Sequence, residues 1–181
     1  MDDVRTAIGR ALLGLLAEGR TVSYGAAAAR AGISKGLVQH YFPDRARLLR
    51  HAATTLAARL SARLSAVPAA TDPSGMLAGV LVALLPTDAE TRLDEAAGRA
   101  LFALALTDPP TNAGYREGRK AVTGLIGELV AAAAPGHDRG WVERSSRDLL
   151  GTLNEVATDL LLGELTPAEA GELVRQRVSR L

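Results

Sequence analysis

The 181-residue sequence predicts an all-α protein, with a three-helix N-terminal module, a long connecting helix and a C-terminal helical domain. Three observations carry that expectation. Ala and Leu dominate an apolar fraction of 48%, while aromatics make up 3%; Ala loses no side-chain entropy in a helix and Leu loses little. Apolar residues recur at i, i+3, i+4 and i+7. Prolines and turn-forming glycines stand between these periodic segments, and no alternating strand pattern appears.

The elements follow in order. Val4, Ala7, Ile8, Ala11, Leu12, Leu15 and Leu16 form one apolar stripe, ended by Gly19. Thr21 or Ser23 can cap a short Ala-rich helix reaching Ala31, and Gly32 then supplies a tight turn. Ser34 can cap a third helix that runs to Tyr41 or Phe42 and stops before Pro43. Asp44 offers a cap for a fourth, reaching about Val67 and burying Leu48, Leu49, Ala52, Leu56, Leu60 and Leu64. The stretch Pro68–Ser74 reads as a connection. Beyond it, helices are expected near 75–85, 88–107, 112–134, 140–163 and 167–180, separated by Pro86, Pro109-Pro110, Pro135-Gly136 and Thr166-Pro167. The reading assigns residues 1–50 to an N-terminal domain and 51–181 to a helical domain.

Several function classes are excluded. Without cysteine there is no disulfide framework, thiolate zinc site or Cys nucleophile. His40, His51 and His137 are dispersed without ligand spacing, and no Walker-type loop occurs, so neither cofactor nor metal is expected. The start, MDDVRTAIGR, lacks a basic segment followed by an apolar run, and no apolar stretch approaches the roughly 20 residues of a membrane helix. A soluble cytoplasmic protein is expected.

The net charge of +1 conceals an asymmetry. Residues 1–67 hold ten Lys/Arg against four Asp/Glu, giving +6, and residues 68–181 hold eleven against sixteen, giving −5. The basic half is the candidate polyanion binder. Within it, TVSYGAAAARAGISKGLVQHY (21–41) reads as helix, turn at Gly32, helix, with Ala27, Ala28 and Ala31 small enough for a close crossing and Ile33 and Val38 facing inward. The second helix suits the major groove: Lys35, Gln39 and His40 can reach base edges or phosphates, and Gly36 permits close backbone approach. Tyr41 and Arg45 stand where phosphate contacts are expected.

Residues 4–50 resemble the tetracycline-repressor (TetR) family of dimeric regulators. The resemblance lies in Gly19 before Thr21-Val22, in Ala31-Gly32-Ile33-Ser34-Lys35-Gly36, in Val38, Gln39, His40, Tyr41 and Phe42, and in Arg45 with Leu48-Leu49 beyond. It implies a DNA-binding module in which Lys35, Gly36, Leu37, Gln39 and His40 face the major groove, with Thr21, Ser23, Tyr41 and Arg45 on phosphates. Ser34 joins that set, although it also reads as a cap alone. Gln39 departs from the aromatic residue many relatives carry, which leaves operator sequence open.

Leu84-Leu85-Pro86-Thr87-Asp88, Thr107-Asp108-Pro109 and Leu160-Leu161-Leu162-Gly163 resemble C-terminal segments of one branch of that family. The resemblance implies a homodimer built from helices near 112–134 and 140–163, with Leu125, Leu129, Leu149, Leu153, Val156 and Leu160 supplying apolar contact and Gly124 and Gly127 allowing close approach. Arg99, Phe102, Tyr115, Trp141, Asn154, Glu155 and Thr158, with Asp159, are candidates to line a cavity for a small-molecule effector. Against this, Glu155 and Asp159 also read as a solvated face, and Arg99 as the partner of a nearby carboxylate. The expected function is a repressor released from a pseudo-palindromic double-stranded operator by that effector. Two rivals stand beside it. One is a helical interaction module without operator binding. The other is a serine hydrolase, since Gly32-Ile33-Ser34-Lys35-Gly36 matches G-x-S-x-G, but the preceding strand that such an elbow needs is replaced by an alanine-rich helix.

Overall fold

Local chemistry at the helix ends explains most boundaries of the computed structural model, which describes residues 2–181. These residues form α1 (Asp2–Ala17), α2 (Tyr24–Ala31), α3 (Lys35–Tyr41), α4 (Arg45–Ser65), α5 (Pro73–Ala83), α6 (Ala89–Ala105), α7 (Pro109–Ala133), α8 (Arg139–Leu162) and α9 (Pro167–Val178). Ser23 rather than Thr21 caps α2, its hydroxyl accepting the Ala26 amide at 3.1 Å. Ser34 caps α3 through the Leu37 amide at 3.2 Å, and Asp44 caps α4 through the Arg47 amide at 2.7 Å. Each cap satisfies one of the first-turn amides that a helix leaves without an internal partner.

Gly32 closes α2 at φ +68°, and the Ile33 amide reaches back to the Ala28 carbonyl at 3.1 Å. That is a Schellman turn, which demands the left-handed conformation glycine adopts without a Cβ clash.

Two expected boundaries differ. Pro73 and Ser74, read as part of the connection, open α5, where the Asp72 carboxylate accepts the Gly75 amide at 2.8 Å. Pro109 and Pro110 do not separate helices but form the first turn of α7. Proline lacks an amide, and at the start of a helix that amide has no intrahelical acceptor. Asp108 completes the start: its carboxylate accepts the Thr111 hydroxyl and the Thr111 amide, the latter at 3.0 Å. Those two bonds hold its carboxyl below the ordinary value, and Arg45 adds a smaller Coulombic pull in the same direction.

The compact units are not two consecutive segments. The chain as far as Arg59 packs with Glu90–Gly118, and Leu60–Ala89 packs with Arg119–Leu181. In the first unit, Ile8, Leu12, Leu15, Val38, Phe42, Leu48 and Leu49 share a core with Ala97 and Leu101 of α6. Leu13, off the predicted stripe, is also fully buried, because residues of α2, α3, α4 and α6 all share the core with α1. An ion pair ties α4 to α6: Arg59 Nε lies 2.9 Å from the buried Asp94 carboxylate, and its guanidinium also reaches Glu90 at 2.5 Å.

The second unit is organised around Leu77, Leu81, Leu85, Ile126, Val130, Leu149, Leu160 and Val174, drawn from α5, α7, α8 and α9 and the turn after α5. Thr166 and Glu169 form a reciprocal capping box at the start of α9. Among the described residues, no helix is long and apolar enough to cross a membrane.

Candidate nucleic-acid interface

α3 is only seven residues long and is held to the first unit chiefly by Val38, which is fully buried. With that anchor inward, helical periodicity sends the remaining positions out: Lys35, Gly36, Gln39 and His40 are exposed, and Leu37 and Tyr41 are half-buried. Thr21, Ser23, Ser34 and Arg45 are exposed as well, so the elements around α3 add hydroxyls and a cation.

Capping does not disqualify the two serines as ligands. Each hydroxyl oxygen accepts a backbone amide, which leaves its own proton to donate to an external oxygen. The same geometry bears on the hydrolase rival, for Ser34 joins two helices and occupies a cap, not a strand-to-helix elbow.

Gly36 is informative because nothing inside the molecule requires it. A Cβ there would meet no atom of the described residues within 4 Å, and its φ is not positive. Glycine in a helix is less favourable than alanine by about 1 kcal/mol. A backbone left bare on an exposed helix is suited to close approach by an external surface.

Three basic residues of this region did not figure in the sequence reading. Arg5, Arg47 and Arg50, with Tyr41, Phe42, His51 and Thr54, line a cleft of about 270 Å³. The Arg5 guanidinium lies 5.5 Å from the centroid of the Tyr41 ring and 5.8 Å from that of Phe42. His51 stacks on Phe42 at 4.7 Å, and its Nε2 is 2.9 Å from the Arg5 carbonyl oxygen. Because a carbonyl only accepts, Nε2 is the donor in this contact. Arg47 and Arg50, spaced i, i+3 on α4, were legible as a basic pair; Arg5 was not, since some 40 residues of sequence intervene.

The residues proposed to line an effector cavity fall in both units. Arg99, Phe102 and Tyr115 belong to the first, where Arg99 Nε donates to Glu95 at 2.8 Å and the Phe102 and Tyr115 rings lie 5.4 Å apart. Phe102 is 44% exposed. Trp141, Asn154, Glu155 and Thr158 belong to the second. Trp141 stacks on His137 at 3.8 Å, Asn154 and Glu155 are exposed, and the Thr158 hydroxyl donates to the Asn154 carbonyl at 2.7 Å. None of them lines the second unit's cleft of about 310 Å³, which Arg63, Val67, Gly79, Val82 and Arg175 help to form.

No sequence family matches the chain, and no curated relative does. Solved structures do match its fold. A transcriptional regulator from Rhodococcus sp. Rha1 superposes with a TM-score of 0.85 at 24% identity, over 97% of this chain and 94% of its own. A TetR transcription regulator from Haloarcula marismortui gives 0.79 at 20% identity, over 99% and 96%. The TetR-like regulator LfrR from Mycobacterium smegmatis, in complex with proflavine, gives 0.70 at 21% identity, over 98% and 95%. The protein therefore has the all-helical fold of TetR-type transcriptional regulators.

Proposed function

We propose that this chain is a cytoplasmic DNA-binding transcription regulator of the TetR family, acting as a homodimeric repressor that a small-molecule effector releases from a pseudo-palindromic operator. One observation carries the reading: on the fold of such regulators, α3 turns Lys35, Gly36, Gln39 and His40 outward around one buried anchor, Val38. Exposed donors on a short helix suit major-groove base edges, and Thr21, Ser23, Ser34, Leu37, Tyr41 and Arg45 complete the proposed DNA surface.

Dimerisation through α7 and α8 is supported by residues that the protomer leaves uncovered. Of the residues expected there, Leu149, Val156 and Leu160 are instead buried in the second unit's own core, and Gly127 is half-buried. Gly124 stays exposed, as does Gly151; a Cβ at either would meet none of the described residues within 4 Å, and Leu125, Leu129, Leu150 and Leu153 are half-buried beside them in sequence. Small residues of this kind let helices of two protomers approach closely. The effector half of the proposal draws on LfrR, which holds proflavine. To release DNA, a ligand must bind more tightly to the conformation whose recognition helices are wrongly spaced, since equal affinity shifts nothing.

The test is selection of bound duplexes from random DNA by the full chain, followed by a small-molecule screen for release. The expected outcome is an enriched inverted repeat whose half-sites lie about one helical turn apart. Failure to enrich any sequence at low salt overturns the reading.

A further inference from the structure

The cleft beside α3 gathers cations that the base-reading face does not use. Arg5 from α1, and Arg47 and Arg50 from α4, line one concavity together with the imidazole of His51 and the hydroxyls of Tyr41 and Thr54, and among the described residues no acidic one lines it. One of these cations has an acidic neighbour: the Asp44 carboxylate lies 3.3 Å from Arg47 Nε and accepts the Arg47 amide. Arg5 is steadied by the Tyr41 and Phe42 rings. A cation–π contact engages the guanidinium's charge without consuming its N–H donors, so those donors stay available to an oxyanion. His51 holds the α1 backbone in register through Nε2 and stacks on the same Phe42 ring, so the floor of the cleft is packed before any ligand arrives.

Guanidinium groups match the tetrahedral oxygens of phosphate through paired N–H donors. We propose that this cleft is a phosphate-binding site separate from the recognition face of α3, taking one phosphate group through Arg5, Arg47 and Arg50. The phosphate has two sources in principle: a phosphodiester of the DNA flanking the bases that α3 reads, or a free phosphorylated small molecule. Only the first rests on the DNA-binding reading given above.

The experiment uses the full-length protein, pyrophosphate as the free probe, and a 30-base-pair duplex titrated over a range of salt. Arg50→Ala is the principal variant, since Arg50 is exposed; Arg5→Ala is the second. Arg139→Ala, at a 92%-exposed side chain of the second unit, is the charge-matched control. Thermal midpoints confirm that each variant folds. A free-ligand site is supported if the parent binds pyrophosphate and both cleft variants weaken it at least tenfold, the control leaving it unchanged. A backbone site is supported if pyrophosphate does not bind but each cleft variant lowers the salt slope of duplex binding by roughly one, the increment for one lost phosphate contact. The proposal is overturned if folded Arg50→Ala and Arg5→Ala match the parent in both arms. Absence of duplex binding by the parent defeats the DNA-binding reading instead, and the pyrophosphate arm alone then decides the cleft.

Discussion

The two units expose different chemistry. Around α3 the first unit presents Lys35, Gln39, His40 and Arg45 beside one bare glycine, and the cleft nearby adds three arginines. Along α7 and α8 the second unit instead presents Gly124, Gly151 and half-buried leucines. Cations with free N–H donors suit an anionic partner, whereas small and apolar helix surfaces suit another helix. Exposed glycines occur in both and mean different things, because their neighbours are donors in one case and leucines in the other.

The largest expected effect tests whether the first unit depends on α6. Arg59→Met takes from the buried Asp94 carboxylate the guanidinium that lies 2.9 Å away and should destabilise the protein by roughly 3 kcal/mol, since losing one partner of a buried ion pair is expensive. Denaturant unfolding measures this. Arg59→Met with Asp94→Leu should recover most of the loss, as apolar replacement of both partners is often close to neutral.

Next comes the face of the second unit. Gly124→Leu fills space that the described residues of the protomer leave empty, so folding should be unimpaired while the affinity of the proposed dimer falls at least tenfold, about 1.4 kcal/mol. Sedimentation velocity across a dilution series reads the change, and an unaltered association constant would remove α7 from the interface.

Gly36→Ala sharpens the contrast by opposing stability to function. Alanine should raise stability by up to about 1 kcal/mol through helix propensity, yet weaken duplex binding severalfold by placing a methyl where the proposed interface brings the groove wall close. Gain in thermal midpoint without loss of DNA affinity would return Gly36 to the status of an ordinary surface residue.

The smallest effect concerns Glu169. Its hydrogen bonds to the Thr166 hydroxyl and amide hold its carboxyl below the ordinary value of 4.5. A folded-state value below the unfolded one contributes stability above that unfolded value and loses it as pH falls through the depressed one. Glu169→Gln should therefore lower the thermal midpoint at pH 7 and matter less and less as the pH drops through the carboxylate range.

Much of this was legible in the residues themselves. The stripe from Ile8 to Leu16, the glycine turn at Gly32, the caps at Ser34 and Asp44 and the outward set around Lys35 all depend on spacing within one helix or turn, where backbone geometry leaves few alternatives. Pro109-Pro110 misled the reading because proline both ends and begins helices, and the cap that decides between them, Asp108, acts through a local carboxylate bond.

What sequence alone determined was the helical class, the turn between α2 and α3, and which side chains of α3 point away from Val38, because periodicity at 3.6 residues per turn is a property of the local chain. Tertiary structure alone decided that α6 completes the core of the first unit, that Arg59 meets Asp94, and that Arg5 joins Arg47 and Arg50 in one cleft. Those pairings bring together residues about 35 to 90 positions apart, and such distant contacts are chosen by which apolar faces fit one another once the helices exist, a matter of packing that no short window of residues contains.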